Sequence, residues 1–116
     1  MEAIELSSGK VRWKTSWPTS FRGKYEYSDG PYSTPWIERD RVLAVGAEGR
    51  LICVALHDGA KLWERDLQAD FGQPIREYPF GAGLLVRGDR VYLNVGAGNS
   101  GAGIVAFDLT SGATVW

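Results

Sequence analysis

The sequence is poor in the residues that build cross-linked or metal-bound scaffolds. Its 116 residues include one cysteine, Cys53, and one histidine, His57. A single cysteine cannot form an internal disulfide, and one cysteine with one histidine cannot supply the four ligands of a structural zinc site. The sequence therefore predicts a domain that is held together by its apolar core.

The sequence also lacks an excess of charge of one sign and long apolar runs. The 13 Lys and Arg residues nearly balance the 14 Asp and Glu residues, which leaves a net charge of −1. Without a basic patch, the sequence predicts no nucleic-acid partner. No apolar run approaches the roughly 20 residues of a membrane-spanning helix. We therefore expect no membrane span in this chain. The first residues also lack the basic start and apolar stretch of a signal peptide.

Helical periodicity is nearly absent as well, and short β-rich segments separated by turn residues take its place. This pattern predicts an all-β fold. Residues 51–56 and 103–107 are apolar at every position, so both faces of these strands should be covered. Such strands are typical of a sheet that packs between two neighbouring sheets, as in a β-propeller blade.

Three tryptophans recur about 50 residues apart, each four residues after a glycine. The pairs are Gly9 with Trp13, Gly59 with Trp63, and Gly112 with Trp116. Each glycine would end a hairpin loop, where a left-handed conformation is needed. The tryptophan then falls on the returning strand, where its indole is expected to cover the joint between adjacent sheets.

The repeat predicts four strands per unit. The first complete unit is predicted at residues 34–38, 41–46, 50–56 and 60–66, and the second at 82–87, 90–96, 103–108 and 113–116. Residues 2–6 and 10–15 would form the last two strands of a preceding unit. The corresponding boundaries are 1–15 for the half-blade, 16–66 for the first blade with its long connecting loop, and 67–116 for the second.

The repeated motif resembles the tryptophan-docking repeat of quinoprotein-type (PQQ-like) β-propellers. It consists of a small residue, an apolar residue, an acidic residue, three positions, a glycine, three positions and a tryptophan. Asp108 matches the acidic position, Glu5 nearly matches it, and Ala55 departs from it. The resemblance implies two four-stranded antiparallel blades plus half of another, in a fragment of a propeller of about six to eight blades. It also implies a periplasmic or cell-envelope location for the full-length protein.

The resemblance leaves two functions open, because the family has an enzymatic and a non-enzymatic branch. Larger dehydrogenases of the first branch carry a Cys–Cys pair beside pyrroloquinoline quinone and a calcium ion. This chain has one cysteine and no compact acidic cluster. The favoured interpretation is the non-enzymatic branch, which includes the outer-membrane assembly lipoprotein, with no catalytic residue, cofactor or metal. A segment of a quinone-dependent alcohol or sugar dehydrogenase, with calcium, is the alternative.

Three local features allow a chemical interpretation, and each has a simpler structural one. Residues 96–101 match the G-x-G-x-x-G nucleotide motif, but a β-rich segment follows instead of a helix, so a hairpin loop is predicted. His57 and Asp58 are neighbours in a turn, which favours a solvated turn over a catalytic pair. Cys53 occupies a position filled by alanine in the other repeats, so we expect a small buried residue.

The loops that connect the blades are the candidate recognition surface. They are rich in aromatic and arginine side chains, which are typical of protein interfaces. The candidates are Arg22, Tyr25, Tyr27, Tyr32, Arg76, Tyr78 and Phe80. They would face a protein or peptide partner, or alternatively pack the loops onto the blades. The apolar sheets at the two ends would be covered by the remaining blades of a longer chain or by self-association.

Overall fold

The computed structural model describes residues 1–22, 30–72, 79–96 and 101–116, and this part of the chain is almost wholly β. Three antiparallel sheets follow one another along the sequence. The first pairs β1 (Glu2–Ile4) with β2 (Val11–Lys14). The second contains β3 (Trp36–Glu38), β4 (Arg41–Val45), β5 (Arg50–Ala55) and β6 (Lys61–Asp66). The third contains β7 (Leu85–Arg87), β8 (Arg90–Asn94) and β9 (Ile104–Asp108).

Within each sheet, strands that are adjacent in sequence are adjacent in space. The order is β3-β4-β5-β6 in the second sheet and β7-β8-β9 in the third. This meander is the arrangement of a propeller blade, as the repeat predicts. The fourth segment of the third sheet, residues 113–116, is present as an isolated bridge between Phe107 and Thr114, supported by a hydrogen bond from the Val115 N–H to the Ala106 carbonyl.

The central sheet is buried on both faces, as the apolar composition of residues 51–56 predicts. Alternate side chains of a strand point to opposite faces, so β4 and β5 contribute to two separate cores. Leu43, Val45, Leu51 and Cys53 pack with the third sheet. The other face packs against the side of the first sheet and its connecting loop, through Val42, Ala44, Ile52 and Val54 with Met1, Trp13 and Trp17.

One short helix was not predicted from the sequence. Helix α1 (Leu67–Phe71) directly follows β6 and buries Leu67 and Phe71. Its signals are local. The Asp66 carboxylate accepts hydrogen bonds from the N–H groups of Gln68 and Ala69, and Gly72 ends the helix in a left-handed conformation. A helix of five residues is too short to show a periodic apolar face, so only its caps could have revealed it. No helix in the described ranges is long and apolar enough to cross a membrane.

We expect Asp66→Ala to lower the free energy of unfolding by about 1 kcal/mol, because two N–H groups of the first turn would lose their acceptor. Urea denaturation would measure the change. Asp66→Asn is the matched control, since its amide oxygen can still cap the helix, and it should stay close to the wild type. Equal losses in the two variants would contradict the capping role.

Candidate functional site

Trp63 and Arg65 join the second sheet to the third through three contacts. Its indole N–H donates to the Leu109 carbonyl at 3.0 Å, and its ring lies directly on Gly112. A Cβ at that glycine would stand only 2.6 Å from Cε3 of the indole. Two residues further along β6, the Arg65 guanidinium donates to the Gly112 carbonyl at 2.8 Å.

Trp13 makes the same contacts one repeat earlier. Its indole N–H donates to the Leu56 carbonyl at 2.8 Å, and a Cβ at Gly59 would stand 2.5 Å from Cε3 of its ring. Thr15, two residues after Trp13, donates to the Gly59 carbonyl at 2.5 Å. The repeated glycine therefore has two tasks, since it adopts a positive φ and leaves room for the tryptophan of the preceding repeat.

The roles of Thr15 and Arg65 were not predicted from the sequence. Each lies two residues after a repeat tryptophan, and each donates to the carbonyl of the glycine on which that tryptophan packs. The sequence signal for this role is the position that the two residues share in the repeat. It is hard to recognise, because a hydroxyl and a guanidinium are chemically different groups, although both are hydrogen-bond donors.

The acidic position of the repeat stabilises a turn in the third sheet. The Asp108 carboxylate accepts hydrogen bonds from the N–H groups of Thr110 and Ser111 and from the Ser111 hydroxyl. These bonds, led by the Ser111 N–H, lower the pKa of Asp108. Its other oxygen pairs with Arg90 at 3.0 Å. Ala55, at the same position of the second sheet, has no side chain that could do this.

A cleft lies where the loop between the first two sheets crosses the turn between β4 and β5. We call it the rim cleft. It has a volume of about 420 Å³, and its lining includes Met1, Ser16, Trp17, Thr19, Pro31, Ser33, Pro35, Ala44, Val45, Ala47, Glu48 and Arg50. The lining is mostly apolar, with Trp17 and two prolines, and it includes the charged side chains of Glu2, Glu48 and Arg50. A second, polar depression of about 460 Å³ adjoins it across Glu48, beside Arg50, Asp66 and Gln68.

Glu48, in the turn between β4 and β5, binds the loop that connects the first two sheets. Its carboxylate accepts hydrogen bonds from the Ser20 hydroxyl at 2.7 Å, the Thr19 hydroxyl at 2.8 Å and the Ser20 N–H at 3.1 Å. These bonds, that from the Ser20 hydroxyl first, lower the pKa of Glu48. On the other side of the loop, the Ser33 hydroxyl donates to the Val45 carbonyl at 2.9 Å. Two anchors therefore fix the walls of the rim cleft.

The lowered pKa of Glu48 gives a pH-dependent prediction. A carboxyl whose folded-state pKa lies below its unfolded value stabilises the fold above the unfolded pKa, and this contribution is lost as the pH falls through the folded pKa. We expect Glu48→Ala to lower the melting temperature at pH 7. The difference from the wild type should shrink below pH 4.5, the ordinary pKa of the group. Glu48→Gln also lacks the titrating carboxyl, so its difference from the wild type should shrink over the same pH range as that of Glu48→Ala. A constant deficit for Glu48→Ala would contradict the tether.

The structure describes three of the predicted recognition residues. Tyr32 is partly exposed and meets the ring of Phe21 edge-on, with the ring centres 6.2 Å apart. Arg22 donates to the Phe21 carbonyl and lies on the same loop. Phe80 is buried, and its ring covers Gly49, so it packs the second loop onto the blade. Tyr25, Tyr27, Arg76 and Tyr78 lie outside the described residues.

Neither Cys53 nor the pair of His57 and Asp58 lines the rim cleft. Cys53 is buried, and burial raises the pKa of its thiol to about 11, so the reactive thiolate is disfavoured. His57 pairs with Asp58 at 3.1 Å on an exposed turn. The glycine-rich motif leads into β9 and not into a helix, which disfavours a dinucleotide fold. Its residues 97–100 lie outside the described part of the chain.

The repeated sheets and their tryptophan joints define a segment of a PQQ-like β-propeller. The chain belongs to the family described as outer membrane protein assembly factor BamB, whose profile matches residues 1–116. The comparison with curated proteins found no match.

Three solved structures share the fold of almost the whole chain. BamB from Moraxella catarrhalis is 20% identical, with a TM-score of 0.63, and 99% of this chain aligns with 29% of that chain. A europium-containing methanol dehydrogenase is 16% identical with a TM-score of 0.67, and 99% of this chain aligns with 20% of that chain. Quinohemoprotein alcohol dehydrogenase from Comamonas testosteroni is 18% identical with a TM-score of 0.66, and 99% of this chain aligns with 17% of that chain. The chain therefore spans less than a third of each of these proteins.

Proposed function

We propose that this chain is a non-catalytic propeller segment that binds a protein or peptide through the rim cleft. The observation that carries the proposal is the composition of this cleft, which combines an apolar lining, with Trp17 and prolines, with the charged side chains of Glu48 and Arg50. An apolar groove with a few fixed polar groups is the usual form of a binding site. The family to which the chain belongs is described as an outer membrane protein assembly factor, and this description supports a protein partner.

The loop anchors also support this function. A binding loop that is ordered before the partner arrives loses less conformational entropy on binding. Glu48 and Ser33 hold the loop from two sides, and Tyr32 and Phe21 add an aromatic contact next to the cleft. The polar depression beyond Glu48 gives a partner a second, charged contact area.

Panning a library of random peptides displayed on phage against the purified chain would test the proposal. Selected peptides should bind the wild type and lose at least about tenfold in affinity for Ser16→Arg, because the long side chain would occupy the rim cleft. Thr110→Arg places the same charge on an exposed turn of the third sheet and is the matched control. The proposal fails if no peptide is selected, or if the two variants bind equally well.

The second candidate is that the chain forms part of a quinone-dependent dehydrogenase. Two of the solved structures that share its fold are dehydrogenases, which favours this candidate. The residues present do not fit the calcium and quinone site of such an enzyme. Within the described ranges, no group of three or more His, Cys, Asp or Glu side chains could hold a metal ion, and Cys53 is buried alone. Incubation with pyrroloquinoline quinone and Ca²⁺ would test this candidate, since stoichiometric quinone absorbance in the protein fraction would favour the enzyme.

A further inference from the structure

The polar depression beside the rim cleft is formed by three segments that meet over the central sheet. They are the loop between the first two sheets, the turn between β4 and β5, and the start of α1. Its lining consists of Pro18, Thr19, Ser20, Glu48, Arg50, Asp66 and Gln68. Three of these residues, Thr19, Glu48 and Arg50, also line the rim cleft. A peptide that occupies the rim cleft can therefore extend a neighbouring side chain into the polar depression.

The charged groups at the polar depression leave one carboxylate in excess. The Arg50 guanidinium is shared between two carboxylates, at 3.1 Å from Glu64 and 3.8 Å from Asp66. Glu64 also pairs with Lys61 at 2.9 Å. Together with Glu48, three carboxylates stand against two cationic side chains. A cation that enters the depression would balance this charge, whereas an anion would increase the imbalance.

Two polar groups of the depression are available to a ligand. One oxygen of Asp66 accepts the N–H groups of Gln68 and Ala69, both at 3.1 Å. Within the described ranges, no hydrogen-bond donor contacts its other oxygen, Oδ2, which lies 3.8 Å from Arg50. The side-chain amide of Gln68 also has no hydrogen-bond partner in this part of the chain. The Asp66 side chain is 47% exposed, so a partner can reach its free oxygen.

We propose that the polar depression receives a lysine or arginine side chain of the peptide that occupies the rim cleft. This inference rests on the proposed function and specifies its partner, which would carry an apolar segment with a basic residue beside it. The cation would donate to Oδ2 of Asp66 and to the amide oxygen of Gln68, and a hydrogen bond between charged groups is stronger than a neutral one. The complementary charge would also speed association and favour basic over acidic peptides.

The peptides selected by phage display against the wild type are the probes for this inference. Lysine and arginine should be at least about threefold more frequent in them than aspartate and glutamate. Asp66→Asn removes the charge but keeps a helix-capping oxygen, and it should raise the dissociation constant about three- to fivefold, as for a partly exposed ion pair. Asp89→Asn removes the same charge from an exposed turn of the third sheet and is the matched control, with unchanged affinity.

Gln68→Glu tests the same contact by a gain of affinity, which a loss of folding cannot produce. The added carboxylate should lower the dissociation constant about three- to fivefold. A peptide whose basic residue is replaced by glutamine completes a double-mutant cycle. It should bind the wild type and Asp66→Asn equally well, because the interacting charge is absent from one side of the contact.

The inference is overturned if the selected peptides are neutral or acidic, or if neither Asp66→Asn nor Gln68→Glu changes the affinity. Ser16→Arg shows which proposal has failed. If the peptides lose affinity for Ser16→Arg but do not respond to the changes at Asp66 and Gln68, the rim cleft binds peptides and only the basic contact is wrong. If no selected peptide responds to Ser16→Arg, both proposals fail.

Discussion

Trp63→Ala should be the most damaging single substitution in this chain, with a loss of about 3–5 kcal/mol in the free energy of unfolding. The indole is buried between the second and third sheets, so its removal leaves a large cavity. It also leaves the Leu109 carbonyl without the indole N–H as its donor. Because a domain of this size is stabilised by only about 5–15 kcal/mol, the variant could be partly unfolded before any denaturant is added.

Chemical denaturation of matched variants would measure this loss. Leu62→Ala is the control on the same strand, because Leu62 is 45% exposed, and its loss should be about 0.5 kcal/mol. Trp63→Phe keeps an aromatic ring but loses the indole N–H, so its stability should lie between those of the wild type and Trp63→Ala. If Trp63→Ala and Leu62→Ala were equally stable, the tryptophan joint would not hold the two sheets together.

Gly112→Ala should cost about 2–5 kcal/mol, although it adds a single methyl group. Two effects add. A non-glycine residue at a φ of +71° costs about 1–2 kcal/mol, and the new Cβ would overlap the Trp63 ring at 2.6 Å, which adds about 1–3 kcal/mol of overpacking. Thermal or urea unfolding would measure the sum.

Gly88→Ala isolates the first effect, because its φ of +61° is similar and nothing lies within 4 Å of its Cβ position. It should cost about 1–2 kcal/mol. The double variant Trp63→Ala/Gly112→Ala completes the cycle. Once the indole is absent, the added methyl group should cost no more than it does at Gly88. Strictly additive losses would show that the ring and the glycine do not interact.

The strands were predictable because the sequence pattern that specifies them recurs in successive repeats. The predicted strand at 41–46 is observed at Arg41–Val45, and the predicted strand at 60–66 is observed at Lys61–Asp66. The buried faces of the central sheet followed from its continuous apolar sequence. The segment at 113–116 is reduced to a single bridge, although its sequence matches the earlier copies.

The loops were less predictable, because their sequences do not recur from one repeat to the next. Helix α1 depends on the caps at Asp66 and Gly72. The aromatic content of the loops favours recognition and packing equally, and only the structure places Phe80 in the core and Tyr32 at the surface. The tether at Glu48 joins residues 28 and 29 positions apart, a pairing that has no signal in a single sequence.

The joints at Trp13 and Trp63 also determine how the molecule shares its stability. Each joint ties one sheet only to the next, through partners 43 to 47 positions apart. The free energy of folding then resembles a sum over units and nearest-neighbour couplings, as in a one-dimensional chain of interacting spins. Within these residues the central unit is coupled on both sides, to the first sheet through Trp13 and to the third through Trp63. Opening the middle sheet must therefore break both couplings, and its amide protons should exchange slowly.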